Sequence, residues 1–256
     1  MAIDRDTYHE ILTELGGNVR LVAVSKTKPI EDIQALYAEG QRDFGENYVQ
    51  ELADKQQQLP ADIRWHFIGH LQSNKVKYII PFVQLIHGVD SLRLLKEIDR
   101  QAAKAGRVVD VLLQVFIAQE ETKFGLDAAE LAGIMKTIRT SPAAAGTAVA
   151  GTPVAGIRQE DAASPAPGEW GHIRIRGLMG MASNSDDPGK VRQEFRALRL
   201  LFDTYFSGET GQPGSSEAAD IPPAILSMGM SGDYKLAVTE GSTMVRIGSL
   251  LFGKRG

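Results

Sequence analysis

The sequence predicts an α/β protein, a single (β/α)8 barrel of the TIM type. Three observations predict it. Short β-branched runs alternate with longer amphipathic ones, the alternation repeats about eight times, and 256 residues is a length such barrels reach undivided. Strand followed by helix, repeated, implies a parallel sheet with right-handed crossovers, and eight repeats imply closure. A doubly wound open sheet is the alternative, but no GxGxxG follows the first strand.

The elements follow in order. An amino-terminal helix is expected to bury Tyr8, Ile11, Leu12 and Leu15; it is short, so one end of the barrel is expected to be thinly covered. Residues 19–24 read as a buried strand ending at the polar segment SKTKP. Ile30, Ile33, Leu36 and Tyr37 then fall on one helical face that stops at Gly40. Residues 42–49 offer the second strand and its loop, 64–70 the third and 82–89 the fourth. Leu92, Leu95, Ile98 and Ala102 mark a helix that Gly106 ends. Residues 108–117 are almost continuously apolar, as a strand buried on both faces should be. A helix is expected over about 127–139, and the sixth strand over 173–181. Val191, Phe195, Leu198, Phe202 and Tyr205 trace the most amphipathic helix of the chain. Residues 225–230 and 244–251 complete the strand count. Two stretches rich in small and polar residues, about 141–168 and 207–220, break the pattern and read as flexible surface insertions in one domain spanning 1–256.

Composition excludes several classes. Net charge is -4 and the pI about 5.8, so no basic surface is maintained for nucleic acid. The absence of cysteine removes disulfides, thiolate metal sites and a thiol nucleophile, and fits a reducing compartment. Residues 1–14 carry Asp, Arg, His and Glu with no apolar core of signal-peptide length, and no apolar run is long enough for a bilayer. A cytoplasmic, soluble protein without a membrane partner is the expectation.

In a barrel, chemistry gathers at the carboxyl ends of the strands. The polar residues there are Lys26, Lys28, Glu46, Asn47, His66, His70, Asp90, Lys123, Asn184, Ser227, Ser231, Arg246 and Ser249, with Gly248 among them. A lysine at the mouth of an apolar strand loses hydration, which favours its neutral, nucleophilic amine. Lys28, two residues on, would share its side of an extended strand and depress it further. From SKTK alone, the better reading of both is as solvated strand-end lysines. Gly248 allows close backbone approach, and Ser249 can open a helix facing a phosphate. Ser227 and Ser231 can supply hydroxyl donors to the same group, or simply cap turns. Arg246 can equally form an ion pair with an acid such as Glu240, and Asn47 can be a turn residue. His66 and His70 lie four apart on a strand, about 13 Å along the chain, too far to clamp one metal ion. His70 is expected to face the pocket and His66 to be a satisfied core residue. Lys123 and Asn184 are loop candidates without a role.

These residues sit in long motifs. VAVSKTKP (22–29), FGENYVQE (44–51), WHFIGHLQSNK (65–75), TKFGL (122–126), RGLMGM (176–181), LSMGMSGD (226–233) and GSTMVRIGSLLFG (241–253) together resemble the PLP homeostasis protein family, the PROSC-like or YggS-type pyridoxal 5′-phosphate-binding proteins. More distantly, the chain is similar to the barrel domain of alanine racemase. The resemblance implies pyridoxal 5′-phosphate (PLP) held as a Schiff base on Lys26. It places Arg246 at the pyridine nitrogen, Asn47 near the ring, and Ser227, Ser231, Gly248 and Ser249 with the rest of the cofactor. A guanidinium donor leaves the ring nitrogen neutral and the ring a poor electron sink. The function it implies is intracellular PLP homeostasis: a monomer holding PLP and delivering it to apo-enzymes, without turnover, catalytic residues or metal of its own. The alternative is a PLP-dependent racemase or lyase of the alanine racemase barrel type. That type needs a second, β-rich domain, and only three residues follow Gly253. An aldolase-like lysine condensing directly with a carbonyl substrate also fits the residues.

Overall fold

The computed structural model describes residues 3–118, 124–140, 170–206 and 223–253. Eight parallel strands close into a barrel in chain order: β1 (Arg20–Val24), β2 (Asp43–Glu46), β3 (Arg64–Phe67), β4 (Leu85–Val89), β5 (Val109–Val115), β6 (Ile173–Gly180), β7 (Ile225–Met230) and β8 (Met244–Ile247). Closure sets β1 against β8, with Arg20 opposite Met244 and Ala23 opposite Ile247. Alternation along β1 shows how the barrel is filled. Leu21 and Ala23 join the large core between strands and helices, whereas Val22 points inward to Leu85, Leu112, Met179, Ile225 and Met244.

Helices α1 (Arg5–Leu15), α2 (Ile30–Ala38), α3 (Val49–Gln56), α4 (Leu92–Lys104), α5 (Ala128–Thr140), α6 (Pro188–Phe206), α7 (Tyr234–Thr239) and α8 (Ser249–Phe252) surround the sheet, with a 3-10 helix at Ser73–Tyr78. Asp4 caps α1, its carboxylate accepting the Thr7 amide at 2.9 Å, and Gly16 closes it at φ 60°. The α1 stripe is narrower than expected: Tyr8, Ile11 and Leu15 are buried, but Leu12 sits on its edge, 38% exposed. Helix α1 also packs on α8.

Several elements depart from expectation, the short helices at Ser73–Tyr78 and Tyr234–Thr239 among them. Helix α3 was not foreseen, because its buried face is Leu52 and Lys55, and a lysine hides the apolar period. Residues 249–251 are helical rather than part of the last strand, which stops at Ile247. The sixth strand carries a bulge: Val111 faces Ile175 but Leu112 faces Gly177, so Arg176 is the extra residue. Gly177 permits this at φ 148°, where any side chain would run into the Ile225 carbonyl. The insertions expected at about 141–168 and 207–220, and Lys123, lie outside the described residues. Among the described residues no helix is long and apolar enough to cross a membrane.

Candidate functional site

At the carboxyl end of the barrel lies a cavity of about 330 Å3, within the size range of small-molecule sites. Its polar wall is Lys26, Lys28, Asn47, Ser231, Arg246, Gly248 and Ser249, with Val24, Ile68 and Met181 among its apolar members. Clefts of about 450 Å3 beside α4 and 680 Å3 between α1 and α7 are larger, but neither reaches Lys26 or Arg246. Chemistry, rather than size, singles out the barrel mouth.

Lys26 is half-buried in a tight turn that leaves β1. The chain is not extended there: the Lys28 amide donates to the Ser25 carbonyl at 3.0 Å, and Thr27 adopts φ 62°. A β-branched residue in the left-handed region is strained and must be held. Glu51 on α3 holds it, accepting the Thr27 amide at 2.6 Å. Because the turn intervenes, Lys28 does not ride beside Lys26 as a strand neighbour would. Its ammonium donates instead to the carbonyls of Phe252 (2.7 Å) and Gly253 (3.3 Å), at the end of α8.

Beneath the turn is a buried charge cluster that sequence reading did not assemble. Lys55 donates to the Ser25 carbonyl (2.8 Å), Glu46 (2.8 Å) and Glu51 (2.7 Å), while the Ser25 hydroxyl donates to Glu46 at 2.6 Å. Burial pushes the Glu46 carboxyl up, with Lys55 opposing. Its second oxygen, Oε2, is buried without a hydrogen bond. The Glu51–Lys55 spacing is a readable i,i+4 pair, but its contact with Glu46 exists only in three dimensions.

Arg246 is 4% exposed at the cavity wall. Its guanidinium donates to the Ser227 carbonyl (2.9 Å), the Ser227 hydroxyl (2.7 Å) and the Gly180 carbonyl (3.1 Å). Among the described residues no carboxylate pairs with it, and Glu240 bonds Arg192 and Arg196 instead. Burial lowers its pKa to about 10, so it stays protonated at neutral pH. Ser227 is fully buried behind Arg246 and also contacts His87 at 3.2 Å; it does not line the cavity. The Ser231 hydroxyl accepts the Gly248 amide at 3.2 Å. A Cβ on Gly248 would sit 3.1 Å from the Val24 carbonyl oxygen, so the backbone leaves little room for a side chain there. Ser249 is exposed at the start of α8. Asn47 Oδ1 is buried and lacks a hydrogen-bond partner.

The remaining candidates lie elsewhere. His66 is fully buried and bonds Asp43 and His87, both at 2.9 Å, as a core histidine should. His70 is exposed, bonds Asp90 at 3.1 Å, stacks edge-on with Phe124, and is not part of the cavity wall. Asn184 is exposed in the loop after β6. His87 is not one of the strand-end candidates; its signal in the sequence is a polar ring inside an otherwise apolar strand.

The alanine racemase N-terminal domain family matches residues 5–152. A pyridoxal phosphate homeostasis protein of Aquifex aeolicus is 35% identical over 237 residues, covering 92% of this chain and 87% of the relative. The one from Synechocystis is 33% identical over 250 residues, covering 97% of each. The chain belongs to the pyridoxal phosphate homeostasis protein family. The fold of this family member is also that of PipY from Synechococcus elongatus PCC7942, solved with PLP bound: TM-score 0.73 at 31% identity, over 97% of this chain and 99% of that one. Alanine racemase from Corynebacterium glutamicum shares the barrel alone, with TM-score 0.64 at 14% identity over 99% of this chain and 63% of that one.

Proposed function

We propose that this protein binds PLP in the barrel mouth, holds it as a Schiff base on Lys26, and serves intracellular PLP homeostasis. The observation that carries the reading is a single cavity walled by an amine, Lys26, and a buried guanidinium, Arg246, that no carboxylate among the described residues contacts. A buried cation with no carboxylate in contact is costly; Asp233 offsets burial only in part and from a distance, and an anionic ligand with acceptor atoms would offset more of that cost. The bare backbone at Gly248 leaves room for such a ligand, and the orphaned Oδ1 of Asn47 would accept from a donor on it, such as a hydroxyl.

PLP, when bound, supplies an aldehyde that condenses with amines and a conjugated ring able to withdraw electrons. The chain's own residues divide the work of holding it. Lys26 provides the attaching amine, presented by the strained turn. Arg246 presents donors only, so it suits an acceptor such as a neutral ring nitrogen. Ser231, Gly248 and Ser249 lie on the side suited to the phosphate, and Asn47 to the ring oxygen. Ser227 acts behind Arg246 rather than on the cofactor. Lys28 fastens the Lys26 turn to α8. This set suits retention more than two-base turnover, because Lys28 is engaged by carbonyls and Arg246 stays protonated. We therefore read the protein as a single-domain, monomeric, cytoplasmic carrier that passes PLP to apo-enzymes, with no nucleic-acid or membrane partner.

The test is direct. Purified protein mixed with PLP should show imine absorbance, and borohydride should fix a pyridoxyl mass on the peptide containing Lys26. Lys26→Ala should abolish both. Undiminished absorbance in that variant would move the attachment elsewhere, and a trapped substrate carbonyl without PLP would favour the aldolase-like reading. Exchange of an amino acid's α-proton at a useful rate would favour the racemase.

A further inference from the structure

Behind Arg246 a line of buried polar groups crosses the barrel interior from β8 to β2. Arg246 Nη1 meets Ser227 Oγ at 2.7 Å, Ser227 Oγ meets His87 Nδ1 at 3.2 Å, His87 Nε2 meets His66 Nδ1 at 2.9 Å, and His66 Nε2 meets Asp43 Oδ1 at 2.9 Å. All five residues are buried. Asp43 is in turn clasped by Arg64 through Nε at 2.9 Å and Nη2 at 2.5 Å.

Each bond in the line has one allowed direction. A guanidinium only donates and an ionised carboxylate only accepts. Burial would raise the Asp43 carboxyl, but hydrogen bonds from Arg64 and His66 outweigh it and hold it well below the usual range, so it is an acceptor. Burial lowers both histidines, His87 the more, so each ring carries one proton. His66 must then carry its proton on Nε2, facing Asp43, which leaves Nδ1 to accept from His87 Nε2. That leaves His87 Nδ1 to accept the Ser227 hydroxyl proton, whose oxygen accepts from Arg246. The directions close without conflict.

We propose that Ser227, His87 and His66 are positioning residues for Arg246, forming a one-way hydrogen-bond chain that ends on Asp43 and fixes the guanidinium at the cavity wall. An ion pair at one end of the barrel thereby orients a cation at the other. Networks behind a binding group commonly govern its geometry and affinity. The consequence for cofactor retention rests on the PLP reading above; the chain itself does not.

The first measurement uses cofactor-free protein labelled with 15N at histidine and arginine. At pH 7, His66 and His87 should both be neutral with the proton on Nε2, and the Arg246 Nη protons should be resolved because the group cannot rotate. A ring protonated on Nδ1, or on both nitrogens, overturns the chain. The second compares PLP retention by absorbance. Ser227→Ala should release the Arg246 resonances to rotation and weaken retention about tenfold. His87→Leu should do the same, and His87→Gln, which can accept and donate in sequence, should recover most of the loss. Equal retention in all three, while Lys26→Ala abolishes it, refutes the positioning role. Should His87→Leu not fold, the wild-type tautomers and Ser227→Ala still decide. If wild-type protein takes up no PLP, the functional reading fails, and the tautomers still judge the chain.

Discussion

Replacing Lys55 by methionine keeps the apolar stem and removes the ammonium. In the native protein that group makes three hydrogen bonds, to Ser25, Glu46 and Glu51, and its side chain is 7% exposed while that of Glu46 is not exposed at all. The variant leaves Glu46 with one hydrogen bond, from Ser25, and one oxygen already unpartnered. Breaking a buried pair from one side costs about 3–5 kcal/mol, and Glu46 can limit the loss by taking up a proton. The sign of the pH effect follows. Its folded pKa, already above the ordinary value, rises further, so the stability of the variant is retained below about pH 4.5 and lost as pH climbs through the folded value. Urea unfolding of wild type and Lys55→Met at pH 5 and pH 7.5 measures this, with Lys55→Met/Glu46→Gln expected to recover more than half of the deficit. A loss below about 1 kcal/mol at pH 7.5, with no dependence on pH, would refute the claim that this pair anchors the Lys26 turn.

Three further outcomes are expected. Burial lowers the His66 and His87 pKa values, so below about pH 6.5 the unfolded chain binds more protons than the folded one. Stability should be complete above that pH and decline toward pH 5, well before the Asp43 contribution is lost; equal unfolding midpoints at pH 5.5 and 7.5 would contradict this. Gly248→Ala puts a methyl 3.1 Å from the Val24 carbonyl oxygen and 3.2 Å from the Val24 Cβ, so a wall residue must shift. PLP titration should show about tenfold weaker binding with less than about 1 kcal/mol change in stability; unaltered affinity would detach Gly248 from the site. Thr27→Gly relieves a left-handed β-branched residue worth about 1–2 kcal/mol against a glycine penalty of about 0.5–1 kcal/mol. Chemical denaturation should find it neutral or slightly stabilising, and a loss beyond about 1 kcal/mol would argue against strain at that turn.

Periodicity made the barrel legible, because a strand buried on both faces and a helix buried on one write different apolar patterns. Val109–Val115 and Pro188–Phe206 are the plainest cases. The pattern failed where burial and polarity coincide. Helix α3 hides its period behind Lys55, and the bulge at Arg176 depends on a backbone clash that involves β7. The cavity members Lys26, Lys28, Asn47, Ser231, Arg246, Gly248 and Ser249 were all nameable as strand-end residues. Ser227 was nameable too, but its inward position behind Arg246 was not.

What the chain encodes by itself is the succession of strands and helices, the strand ends that can bear chemistry, and motifs distinctive enough to mark the family. Those are local properties, set by spacing and residue type. The tertiary structure decided which polar groups meet: Lys55 with Glu46 across 9 positions and Arg246 with Ser227 across 19. His87 meets Ser227 across 140. Hydrogen-bond partnership and desolvation depend on barrel closure, which brings residues distant in sequence within 3 Å or so and removes the water that would otherwise serve them.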